Sequence, residues 1–148
     1  MRTPKALFLL PLILSLTGSA VAQHPDIDRE VERLVSQITE IRHQIHEHPE
    51  LGNREVETAA LVADHLRALG FDDVRTGVAH TGVVAVLRGG KPGPVVAVRA
   101  DMDALPVTEN TDLSFRSTLR TTYLGQDVGI MHACGHDCHT AMLLGAAR

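Results

Sequence analysis

The densest chemistry in this chain lies at residues 131–139, which read Met-His-Ala-Cys-Gly-His-Asp-Cys-His. Thiolate and imidazole are the donors that borderline-soft divalent ions such as zinc prefer. Cys134 and His136 flank one glycine, whose backbone freedom lets both side chains turn toward a common point. They are the candidate metal ligands. A Cys134–Cys138 disulfide and purely structural histidines are the competing readings, and the C-x-x-C spacing of structural zinc sites is absent. A second candidate place is Asp101-Met102-Asp103, directly after the β-branched run at residues 94–100. In open α/β sheets ligands bind at the carboxyl ends of strands, although Asp-x-Asp also simply starts turns. His43, His46 and His48 form a third cluster, in which only His43 and His46 share a helical face. His46 neighbours an apolar stripe, which favours a packed or hydrogen-bonded ring over a ligand.

The elements that must position these residues follow from periodicity. Over residues 26–46 the apolar side chains Ile27, Val31, Leu34, Ile38, Ile41 and Ile45 trace one helical stripe. Pro49 ends that segment. A second helix is predicted over 55–69, with Val56, Ala59, Ala63, Leu66 and Leu69 on one side and Gly70 as its C-cap. Strands are predicted at 71–76, 82–88 and 94–100. The glycine-rich stretch 89–93 reads as a hairpin or tight connection joining the last two, whose nearly continuous apolar character predicts a sheet covered on both faces. Residues 104–131 read as a long loop with little regular structure. A last helix opens near Asp137 and carries Met142, Leu143 and Ala146. The order predicts an α/β fold.

Composition narrows the partners. A chain of 148 residues, 44% hydrophobic, suits about one globular domain. The formal charge of −4, with three Phe, one Tyr and no Trp, argues against nucleic-acid binding. Arg2 and Lys5, the apolar run 6–16 and the Ala20-Val21-Ala22 cleavage pattern make residues 1–22 a secretory signal peptide. The apolar run is too short for the roughly 20 residues that cross a bilayer, so no stable membrane anchor is expected. The mature chain is expected in the periplasm or outside the cell, where an oxidising environment bears on both cysteines.

Residues 42–51 (Arg-His-Gln-Ile-His-Glu-His-Pro-Glu-Leu), 99–106 and 131–140 together resemble the M20 metallopeptidase family. Within it they are most similar to the amidohydrolase branch of aminoacylase-, hippurate- and auxin-conjugate-hydrolase-like enzymes. The resemblance covers nearly all of residues 38–148, in the right order. It implies a zinc-peptidase-like catalytic domain with a mixed sheet flanked by helices, of which residues 23–148 are the N-terminal portion. It implies Cys134 and His136 as the first two metal ligands and Asp103, with Asp101 beside it, as the catalytic acids at the strand end. Asp103 is favoured for orienting the metal site, because D-x-D-x-x-P aligns with the family's H-x-D-x-x-P. Asp101 then takes the place where other branches carry a metal-binding His. His132 and Asp137 are implied as supports for ligand orientation. Cys138 departs from the family pattern, which keeps the disulfide reading open. The implied cofactor is a divalent metal (Zn, Mn, Co or Ni), two ions in the intact enzyme. The implied substrate is a small N-acyl amino acid or a peptide, and the implied assembly a homodimer. An exported dipeptidase or carboxypeptidase of the same family and a disulfide-containing, non-enzymatic binding module are the alternatives. In the family the general-base Glu-Glu pair, further ligands and a dimerisation domain lie downstream of C-G-H-D, so the chain by itself is expected to be inactive.

Overall fold

The computed structural model describes residues 24–148, and the signal peptide expected at 1–22 lies outside them. Helix α1 spans Pro25–Glu47. Proline suits its first turn, and Asp26 and Asp28 meet the positive end of the helix dipole there. The apolar stripe enters the core only at its C-terminal end: Ile45 is buried, whereas Ile27 and Val31 are exposed. Helix α2 spans Val56–Ala68 and buries Thr58, Ala59, Val62 and Ala63. Val56, expected on that stripe, is exposed instead. Glu50, in the connection between the helices, satisfies the free N–H groups at the start of α2. Its Oε1 accepts from Val56 and Glu57, and its Oε2 from both the N–H and the hydroxyl of Thr58. Gly70 closes α2 in the left-handed region, at φ +86°.

Strands β1 (Asp73–Val78) and β2 (Gly82–Val86) form an antiparallel hairpin with a register shift between Arg75 and Val78. This corrects the expected connection. The hairpin joins the first two predicted strands, not the last two, and residues 94–100 take no strand pairing among the described residues. β-branched composition identifies a segment fit for a sheet, but a ladder needs a partner edge, which composition does not supply. The expectation of strands covered on both faces fails for the same reason: Val84 and Val86 are partly exposed, and Val95 is 99% exposed. A second antiparallel pair, β3 (Arg120–Tyr123) and β4 (Gln126–Gly129), lies inside the stretch expected to be irregular. Its two-residue turn, Leu124-Gly125, has φ of 50° and 77°, a pattern that matches the twist of the flanking strands.

Helix α3 spans His136–Ala146 and buries Asp137, Thr140, Ala141 and Leu144. That face replaces the expected one, since Met142 and Ala146 are exposed. Gly145 lets α3 approach α1 closely; a Cβ there would stand 3.3 Å from Ile38. Three helices and two small sheets thus make an α/β arrangement. The long connection after the unpaired segment is held at both ends, by bridges Leu51↔Ala104 and Leu105↔Met131. Leu51, Ala104 and Ile130 form a buried apolar cluster under these bridges. The bridges carry Asp101 and Asp103 to the start of α3. No helix among the described residues is long and apolar enough to cross a membrane.

Candidate metal centre

Gly135 precedes α3 in the left-handed region, at φ +81°, and from it the chain turns directly into the helix. His136 opens α3 and His139 follows one turn later, so both rings lie on one side of the helix, with centroids 5.4 Å apart. His136 Nδ1–H donates to the Asp103 carbonyl at 2.8 Å and to its Oδ1 at 3.0 Å. That fixes the tautomer and leaves the Nε2 lone pair facing outward, 3.8 Å from Asp101 Oδ2. Asp101 is placed in turn by Thr140, whose hydroxyl donates to its carbonyl oxygen at 2.9 Å, and by Arg99, which pairs with Oδ1. Ala104 N–H, donating to the Glu50 carbonyl at 2.7 Å, pins the same stretch to the α1–α2 connection.

The result is a group of three donors. Asp101, His136 and His139 each offer one ligand atom, all within 4.8 Å of one another. One carboxylate and two imidazoles suit Zn, Mn, Co or Ni. The histidine whose far nitrogen is held by an acid is the usual arrangement of a metal-ligating ring. The donor set therefore fits a divalent ion. Of the residues singled out in the sequence, Asp101 and His136 are in this group, and Asp103 touches it through the His136 ring. Cys134 is exposed on the approach to α3 and is not one of the three; Cys134 and Cys138 are both free thiols. His139 was given no role in the sequence reading. Its signal was available, since it stands three residues after His136 at the start of a helix.

Behind the group lies a buried polar network. Asp137 Oδ2 accepts from Arg42 Nε at 2.7 Å and from His46 Nδ1–H at 2.8 Å. The other nitrogen of His46 lies 3.2 Å from Glu109 Oε1. Glu109 also accepts from the Thr111 hydroxyl and the Ser117 N–H. Burial alone would raise the Asp137 carboxyl. Hydrogen bonds from His46 and the Cys138 N–H, together with the Arg42 charge, outweigh it and hold the group below the usual carboxylate range. Glu109 is lowered in the same way, its bonds from Thr111, Ser117 and His46 overcoming burial. His46 is thus buried and hydrogen-bonded, as its place beside the apolar stripe suggests.

Known proteins share this arrangement of sequence. The profile of peptidase family M20/M25/M40 matches residues 97–148. Thermostable carboxypeptidase 1 of Saccharolobus solfataricus is 52% identical over 122 residues, which cover 82% of this chain and 29% of that protein. Hippurate hydrolase of Campylobacter jejuni is 45% identical over 119 residues, 80% of this chain and 29% of that protein. A dinuclear metal-binding peptidase of the M20 family from Bacillus subtilis superposes with a TM-score of 0.68 at 39% identity, over 78% of this chain and 30% of that one. The chain spans about 29% of the length of these curated relatives.

Proposed function

The chain belongs to the M20 peptidase family, and on that premise we propose that its protein is a divalent-metal amidohydrolase cleaving the amide bond of N-acyl amino acids. The observation that carries the proposal is the convergence of one ligand atom each from Asp101, His136 and His139 within 4.8 Å, with the Nδ1 of His136 held by Asp103. The chemistry a divalent ion supplies at such a centre is acidification of a water and polarisation of the scissile carbonyl. The chain's own residues supply the frame. Asp103 keeps His136 in the tautomer that leaves Nε2 free, Thr140 fixes the backbone of Asp101, and Gly135 sets the entry to α3. Cys134, one exposed turn before His136, remains a candidate further ligand in this reading. So do a second ion, assembly as a homodimer and export to the periplasm or beyond through residues 1–22.

A peptide substrate is the second reading, and the 52% identity to a carboxypeptidase is what favours it. The family's general-base Glu-Glu pair falls in the part of the relatives that this chain does not span, so we expect residues 23–148 to bind metal without turnover. Cobalt titration of the purified chain tests the centre. Saturable visible absorption is expected, and His136→Ala should weaken it at least about 100-fold, since an inner ligand is lost. A folded chain that takes up no Co²⁺ would overturn the metal reading. Release of free amino acid from an N-acyl substrate by this chain would overturn the expected inactivity.

A further inference from the structure

We propose that His46 is a positioning residue for the candidate metal centre, acting through Asp137 on the first turn of α3; this rests on the metal reading above. Asp137 follows His136 directly in the chain, and its side chain is 1% exposed. It points away from the donor group toward α1, where Arg42 and His46 both bind its Oδ2. The turn that presents His136 and His139 is therefore clamped on both sides: by Asp103 on the ring of His136, and by His46 and Arg42 on the next residue. The clamp is itself braced. The Nε2 of His46 reaches Glu109 in the long connection, and Phe115 from that connection meets the His46 ring edge-on at 5.6 Å while stacking on His43 at 3.6 Å. The His46 ring reaches both carboxylates at once, one through each nitrogen. His46 stands 91 residues from Asp137 and 63 from Glu109, so one ring ties α1 to both α3 and the long connection.

The two arms of His46 do different things. The Asp137 arm holds the helix turn that carries the donors, and the Glu109 arm holds the connection. The proposal assigns the positioning to the Asp137 arm. His46→Asn keeps an amide N–H near the place of Nδ1, and His46→Gln keeps one near the place of Nε2; His46→Leu removes both. In Co²⁺ titrations of the full chain, His46→Asn is expected close to wild type and His46→Gln weaker by about 10–100-fold, the usual cost of losing a group that orients a ligand. A second readout needs no metal. In ¹⁵N-labelled protein the ring Nδ1–H of His136, bonded to Asp103, should give a resolved signal in wild type and His46→Asn. That signal should exchange away in His46→Gln and His46→Leu. Far-ultraviolet circular dichroism identifies the folded variants, and the Asn–Gln pair decides the matter if the Leu variant does not fold. Folded variants with unchanged cobalt affinity and an unchanged His136 signal would overturn the proposal, as would equal losses in Asn and Gln. If wild type binds no Co²⁺, the metal reading fails, and the His136 signal still judges whether His46 positions that ring.

Discussion

His132 is 4% exposed, and neither of its ring nitrogens has a hydrogen-bond partner among the described residues. Burial is the largest influence on the ring, and it overrides the pull of the Asp137 charge to bring its pKa down to about 4. The ring thus stays neutral in the fold under conditions where a solvated histidine takes a proton. The unfolded chain protonates His132 near 6.5 and the folded chain near 4, so between those values the unfolded state binds more protons. Stability must fall as pH drops through that window, by roughly 3 kcal/mol once it is crossed. Urea unfolding of the metal-free chain at pH 7, 5.5 and 4.5 reads this slope. His132→Leu, which cannot take the proton, should flatten it. The same slope in both proteins would show that the buried ring is not what resists acid.

At the scale of elements, Glu50 does for α2 what a capping residue normally does. The residue at the cap position, Glu55, makes no capping hydrogen bond, and the acid five residues earlier takes over three N–H groups and a hydroxyl. Its own carbonyl receives the N–H of Ala104, so Glu50 couples the start of α2 to the stretch carrying Asp101 and Asp103. Glu50→Ala is expected to cost about 1–2 kcal/mol, the upper part of the range for lost caps, and Glu50→Gln less because one oxygen still accepts. Thermal melts of the two variants check the order, and an Ala variant as stable as wild type would refute it. The three helices were legible in the sequence because an amphipathic helix writes its 3.6-residue period into local spacing. What each helix buries was legible only in part: Ile27 and Val31 on the outer stripe of α1 are exposed among the described residues, and α3 buries Asp137, a charge that hydrophobic periodicity cannot assign to a core. The β3–β4 hairpin was missed because its turn puts Leu124, not Asn or Asp, at a positive φ. Both chemical motifs were readable as local strings, and His139 was readable by its spacing. The His46 network was not, since its members meet only after the chain has folded.

For the whole molecule, the unpaired segment 94–100 matters most. Val95, Val96 and Val98 are 99%, 78% and 71% exposed, and Leu87, at the end of the preceding hairpin, is 72% exposed. Single exposed apolar residues are ordinary, but a contiguous β-branched run with unpaired backbone is a template for pairing with another chain. Arg88, Lys91 and Arg99 flank the run without interrupting it, so the charge that normally blunts such a segment stands at its ends. The purified chain is therefore expected to self-associate as its concentration rises, and more strongly in high salt, where the flanking cations repel less. Replacing Val96 and Val98 by Lys puts charge inside the run while touching no buried residue. It should restore a monomer in sedimentation velocity and leave the far-ultraviolet spectrum unchanged. The decisive comparison is a concentration series of both proteins at one ionic strength. Wild-type chain that stays monomeric throughout, or a double variant that associates just as readily, would mean the apolar run is not the surface that drives contact between copies.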